Sequence, residues 1–283
     1  MAFASTVRNK QSALQRRKRN RLYLFCGLIF LCVVLLIGTL SYVSRLEQFL
    51  VKTVVISGNT VTDGALIEDV ARGELLGKYL WLFPKENSFL FPAKTVEQSL
   101  LSEFSRVKSV SVSREGFETM RIAVVERKPQ ALWCEGFEPF LSGENSTDCY
   151  FVDESGFIFS RAPQFSRNVF VRYFGGTEAT STLASTIIPD RFAEYDFFVE
   201  SLRAEKLPIT DLVLLRNGDI GLYLESGVKI LFDTRQNLGT VLSNIELLME
   251  REELSLISKT PRFEYVDLRY GNKVFYKSKG VTQ

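Results

Sequence analysis

Histidine is missing from this 283-residue chain, and cysteine, methionine and tryptophan are scarce, at four, three and two residues. Without histidine the commonest general base and the commonest transition-metal ligand are gone, which excludes a histidine-dependent triad or zinc site. No glycine-rich phosphate loop and no metal-spaced cysteine cluster occurs either. The first 21 residues lack any acidic side chain and hold seven basic ones: Arg8, Lys10, Arg16, Arg17, Lys18, Arg19 and Arg21. Setting those seven aside leaves 28 basic against 33 acidic residues, so the remainder carries −5 and offers nucleic acid no overall positive field. Beyond residue 43 the apolar runs, such as residues 75–83, are too short or carry charges, so no second membrane span is expected.

What is present is apolar: 46% of the residues, enough to build real cores. Residues 22–43 are uncharged and rich in Leu, Ile, Val and Phe. At about 1.5 Å per residue such a helix spans roughly the thickness of a bilayer's hydrocarbon core. The run is longer than a signal-peptide apolar region, and no small-residue cleavage site follows it, so an uncleaved anchor is expected. Basic residues crowd its N-terminal side, while little more than Arg45 and Glu47 follows it. That bias sets residues 1–21 in the cytoplasm and the chain after residue 43 outside.

Residues 51–56 read as a strand ended by Ser57-Gly58-Asn59. Thr62 or Asp63 can cap a short helix with Leu66, Ile67 and Val70 as its apolar face. A second helix follows Pro92, with Val96, Leu100 and Phe104 in register. Val110 and Val112, then Met120, Ile122 and Val124, alternate with polar residues around Gly116 and predict a hairpin. The aromatics of residues 78–91 (Tyr79, Trp81, Phe83, Phe89 and Phe91) are expected to pack a core or anchor the loop rather than form a contact surface.

Past Pro129 the chain is rich in strands, at residues 150–159, 169–173, 212–215, 220–224, 228–232, 263–268 and 273–276. Asn217-Gly218 is a strong hairpin signal, flanked by Arg216 and Asp219, and Gly175-Gly176 ends an earlier strand. Helices are expected at 190–206, burying Phe192, Phe198 and Leu202, and at 235–251. The latter sets Leu238, Val241, Leu242, Ile245, Leu248 and Met249 on one face.

The β-α-α-β-β order, the Ser57-Gly58-Asn59 turn and Glu126-Arg127-Lys128-Pro129-Gln130-Ala131-Leu132-Trp133 resemble the POTRA domain and domain junction of bacterial FtsQ/DivIB division proteins. The basic tail and single anchor directly before them strengthen the resemblance. Phe151-Val152-Asp153-Glu154-Ser155-Gly156 and Tyr265-Val266-Asp267-Leu268-Arg269-Tyr270 are similar to pieces of that family's β domain, so the likeness runs over residues 20–276. It implies an α+β chain: basic tail 1–21, transmembrane helix 22–43, POTRA domain 50–128, mixed strand-rich β domain 129–276 and C-terminal tail 277–283. It also implies a non-catalytic, single-pass scaffold of the cell-membrane divisome at the septum, with no cofactor, nucleic acid or small-molecule substrate. The partners implied are the FtsB–FtsL coiled-coil pair, added as a strand to the last strands of the β domain, and further division proteins. Carried over by position, Tyr265, Tyr270 and Gly271 match the family's contact segment. Phe275 and Tyr276 fall near a docking aromatic, although the intervening segment is shorter here. Lys273 stands ready for an acidic residue of the partner. The alternative is that Tyr265 and Tyr270 pack the β domain.

Cys26 and Cys32 lie in the anchor; Cys134 and Cys149 flank a polar loop, a feature not associated with the family. They are two free thiols or one disulfide, and an oxidising compartment favours the disulfide. Other chemistry is set aside. Ser105-Arg106-Val107-Lys108 matches the S-x-x-K of penicillin-binding enzymes, but it leads into a strand, and Lys259-Thr260-Pro261 is no K-T-G. Asp153 and Glu154 read as a solvated turn rather than a glycosidase pair. Asn145 opens a formal glycosylation sequon without meaning in a bacterium. A chaperone-like POTRA module for polypeptide translocation is the competing function; that class repeats the domain or ends in a membrane barrel.

Overall fold

The structure, a computed structural model, describes residues 3–136, 148–165, 169–175, 183–188, 191–215, 217–250, 256, 263–271 and 273–279, with side chains from residue 18 onward. Asn145, Gly176, Asp190, Arg216, Arg251, Asn272, the 259–261 tripeptide, the last four residues and the side chains of Arg8, Lys10, Arg16 and Arg17 lie outside the described residues. Contacts divide the chain into two compact units, residues 1–103 with 109–125, and residues 104–108 with 126–283.

The first unit opens with helix α1 (Phe3–Val43), whose stretch Lys18–Val43 is long and apolar enough to cross a membrane. Strand β1 (Thr53–Ser57) pairs in parallel with β5 (Thr119–Glu126), and β4 (Val107–Glu115) lies on the other side of β5. Helices α2 (Gly64–Leu75) and α3 (Ala93–Glu103) pack beside each other. Asp63 caps α2 by accepting a hydrogen bond from the Ala65 amide at 2.9 Å. Met120, Ile122 and Val124 are buried as their alternation requires, together with Val96 and Leu100 of α3. The buried stripe of α2 is Ile67, Ala71 and Leu75, each one turn from the next. Leu66 is exposed and Val70 only half-buried, a correction to the expected face: both sit beside the i, i+4, i+8 row that the sheet covers.

Residues 78–91 depart further from expectation. Strands β2 (Lys78–Tyr79) and β3 (Phe83–Pro84) form a minimal hairpin, and Trp81 at its tip is 89% exposed. Phe89 is exposed as well, though its ring meets Phe49 and Phe117 at centroid distances of 5.9 and 5.8 Å. With two residues per strand, the hairpin tip packs against none of the described side chains closely enough to bury it.

The second unit is built on a mixed nine-stranded sheet, in the order β14-β13-β12-β11-β10-β9-β6-β7-β8. Its strands are β6 (Ala131–Cys134), β7 (Cys149–Val152), β8 (Ile158–Arg161), β9 (Arg172–Phe174), β10 (Ile209–Leu214), β11 (Asp219–Leu224), β12 (Lys229–Asp233), β13 (Phe263–Tyr270) and β14 (Lys273–Ser278). Parallel neighbours need a crossover. Helix α4 (Phe192–Ala204) lies between the parallel pair β9 and β10, and α5 (Leu238–Met249) between the parallel pair β12 and β13. Asn237 caps α5 through its side chain, accepting from the Thr240 amide at 3.2 Å. The helices bury Phe192, Phe198, Leu202, Val241, Ile245 and Leu248 in one core with the sheet. Each such side chain contributes roughly 2 kcal/mol by leaving water.

Asp153 corrects the solvated-turn reading, which holds for exposed Glu154 alone. Asp153 is fully buried: its Oδ1 accepts from the Ser155 amide (2.8 Å), the Ser155 hydroxyl (2.6 Å) and the Phe157 amide (3.1 Å), while Arg127 pairs with Oδ2. Burial pushes its carboxyl up, but these hydrogen bonds outweigh burial and hold it below the ordinary range. Gly156 completes the turn at φ +83°, where a Cβ would stand 2.8 Å from the Ile187 carbonyl and from Phe192.

Gly58 is the corresponding fixed point of the first unit. Its φ is +85°, and a Cβ there would lie 2.1 Å from the Val124 carbonyl oxygen on the strand beside β1. Gly58→Ala is expected to cost about 2–4 kcal/mol, against about 1 kcal/mol for Gly116→Ala in open space. Urea denaturation of the two variants side by side measures the difference.

Candidate partner-binding edge

Strand β14 closes one end of the nine-stranded sheet, so its outward N–H and C=O groups have no strand beside them among the described residues. It pairs antiparallel with β13, setting Val266 opposite Tyr276, Asp267 opposite Phe275 and Tyr270 opposite Lys273. Adjacent residues of a strand project to opposite faces, so Phe275 and Tyr276 flank the edge on its two sides. Each is held by a ring of β13. Phe263 meets Tyr276 edge-on at 5.0 Å, and Tyr270 meets Phe275 edge-on at 5.1 Å. Tyr270, Phe275 and Tyr276 are nevertheless 59%, 50% and 55% exposed. Only Val274 of this strand turns inward, against the helix-covered core.

The charges at the edge divide into engaged and free. Lys277 pairs with Glu264 at 2.7 Å, which raises the lysine's pKa. Both partners are exposed, so the pair adds little stability. Lys273 is exposed and has no carboxylate partner among the described residues. Gly271, at φ +68° in the connection, faces open space. Tyr265 is half-buried on β13, in register with Lys277 on one side and Lys229 on the other. The structure therefore gathers Tyr270, Lys273, Phe275 and Tyr276 at the exposed edge and sets Tyr265 behind them. Sequence reading missed Phe263 and the Glu264–Lys277 pair, whose roles depend on which residues stand opposite each other.

Behind the edge, Arg269 ties β13 to β11 across the strand between them. Its guanidinium donates to Asp267 at 2.6 and 2.9 Å and reaches past β12 to Asp219 of β11 at 2.6 Å. Asn217 completes the chain by donating to Asp219 at 2.8 Å. The Gln236 side chain donates to the Leu268 carbonyl at 2.9 Å, next to the irregularity in the β13–β14 ladder. The arginine's hydrogen bonds hold Asp267 below the ordinary carboxylate range, and the aspartates raise Arg269 well above its usual value.

The two sulfurs of Cys134 and Cys149 are joined across the paired strands β6 and β7, while Cys26 and Cys32 are free. The S-x-x-K residues do not act on each other. The Ser105 hydroxyl donates to the Phe159 carbonyl at 2.6 Å, and Lys108 pairs with Glu154.

Two measurements probe this geometry. A depressed aspartate stabilises the fold fully above its unfolded pKa of about 3.9 and ceases to do so as pH falls through the lower folded value. Asp267→Asn is therefore expected to cost about 2 kcal/mol at pH 7 and progressively less as acid protonates the native carboxylate. Urea midpoints at pH 7 and pH 3 report both. Alkylation without reductant is expected to leave Cys134 and Cys149 unmodified, and reduction to lower stability by about 3 kcal/mol; peptide mass mapping and denaturation read each.

Among comparisons with known proteins, the family described as the POTRA domain, FtsQ-type, matches residues 49–127. No curated protein matches the chain. The matched segment holds β1, α2, α3, β4 and β5, the β-α-α-β-β unit, and directly follows the apolar helix α1. An FtsQ-type POTRA domain set behind one apolar helix long enough to cross a membrane fits the FtsQ/DivIB family of division-related proteins.

Proposed function

We propose that this chain is a non-catalytic scaffold of the divisome, and that the β14 edge is where it takes hold of a coiled-coil partner of the FtsB–FtsL kind. The observation that carries this reading is the open edge itself, lined by the exposed rings of Tyr270, Phe275 and Tyr276. A segment adding as a tenth strand gains backbone hydrogen bonds along β14, and the aromatics on either face supply anchors. Lys273 supplies a cation for an acidic residue of that segment.

In this arrangement residues 1–21 lie in the cytoplasm and residues 22–43 span the cell membrane. The POTRA domain (50–128), the β domain (129–276) and the tail 277–283 stand outside, at the septum. The positive flank of the helix supports the orientation. Cys134 and Cys149 are closed in that oxidising compartment. The FtsQ-type character of the POTRA match favours division over polypeptide translocation.

The test uses the full chain, tagged and solubilised from native membranes. Wild type is expected to retain a small single-pass coiled-coil protein. Tyr270→Ala and Phe275→Ala are each expected to weaken that capture roughly 10- to 100-fold while lowering stability in urea by no more than about 1.5 kcal/mol, the worth of the ring pair they share. Undiminished capture by both variants overturns the edge as the docking site, and capture of unfolded envelope polypeptides instead moves the protein to the translocation class.

A further inference from the structure

The tip of the β2–β3 hairpin is an apolar turn left uncovered by the described residues. Leu80 and Trp81 are 78% and 89% exposed, and both are left-handed, at φ 49° and 62°. The Leu82 amide donates to the Tyr79 carbonyl at 3.0 Å, which closes a turn whose two central residues both have positive φ. Such a turn calls for Asn-Gly, and this chain has Leu-Trp there instead. Placing Leu-Trp there strains two backbone positions and exposes two large side chains, and no packing among the described residues compensates either.

The turn's position says what covers it. The Ser41 hydroxyl of α1 donates to the Leu82 carbonyl at 2.8 Å, and Arg45 donates to the same oxygen at 3.2 Å. Asn87 donates to the Ser44 carbonyl at 2.9 Å. Ser41 and Ser44 are buried by these contacts, while Tyr42 and Val43 between them remain exposed. Ser41 lies in the last turn of the uncharged run and Arg45 is the first charge after it, so Leu82 is held where the helix leaves the hydrocarbon for the headgroups. Tryptophan and tyrosine are enriched at that depth because their rings are apolar with one polar atom. Lys78, Lys85 and Arg45 stand nearby, offset in part by Glu47 and Glu86, so the apolar tip rather than net charge sets the preference.

We propose that the Tyr79–Leu82 turn is a second membrane contact, with Leu80 and Trp81 inserted into the outer interface of the bilayer beside the end of α1. It holds the POTRA domain to the lipid surface by a second point besides the covalent link. This goes beyond the scaffold reading and depends only on α1 spanning the membrane.

The full chain is reconstituted into phosphatidylethanolamine–phosphatidylglycerol vesicles, with carbonate-resistant association checked first so that α1 is known to be inserted. The chain has two tryptophans, Trp81 and buried Trp133, so the emission difference between wild type and Trp81→Phe isolates Trp81. Lipids brominated high on the acyl chain are expected to quench that difference roughly twofold or more, with weak quenching by aqueous acrylamide. Full acrylamide access without lipid quenching overturns the proposal. Access in pure lipid vesicles with protection only in native membranes also overturns it, by making the occupant a protein.

Discussion

An open β-sheet has to end, and its last strand presents backbone donors and acceptors with no further strand beside them. In the second unit that strand is β14, and much of the unit serves to hold it in place. Two helical crossovers allow β9–β10 and β12–β13 to run parallel and cover one face of the sheet. Arg269 then locks β13 to β11 by spanning the strand between them. Only one residue of β14, Val274, packs against the core, and it is half-buried, so the strand owes its position mainly to the ladder and to rings lent by β13. A strand bound in this way keeps its outward backbone and most of its side chains available.

Much of this fold was legible because periodicity reports burial. Met120, Ile122 and Val124 alternate and are buried; Val241, Ile245 and Leu248 recur at helical spacing and are buried. Strand β6 escaped because it has no alternation to show. Ala131 and Trp133 enter the core under the helices, whereas Leu132 and Cys134 enter a smaller cluster on the opposite face. A strand buried on both sides is a plain apolar run, and the reading of Glu126–Trp133 as a junction absorbed it. Asp153 escaped for the opposite reason. A carboxylate in a polar turn looks solvated until its hydrogen bonds from Ser155, Phe157 and Arg127 are seen.

The edge was legible only in outline. Tyr270, Lys273, Phe275 and Tyr276 stand out as aromatics and a cation near a turn, but which of them are exposed follows from strand register. Register depends on the irregularities in the β13–β14 ladder, and composition does not encode those. The β2–β3 turn is a related case: five aromatics within 14 residues suggest a core, and only the backbone reveals that Trp81 points away from one.

The order of strands in space also has a meaning in time. From β9 to β14 the sheet is laid down in the order of the sequence, each new strand beside the one before it. Synthesis from the N-terminus delivers β14 after every other described strand. A chain cut short before Phe263 ends its sheet at β12, with neither the aromatic clasp nor the lysines of the final hairpin. The β14 edge therefore exists only once the strands from β9 onward have been made.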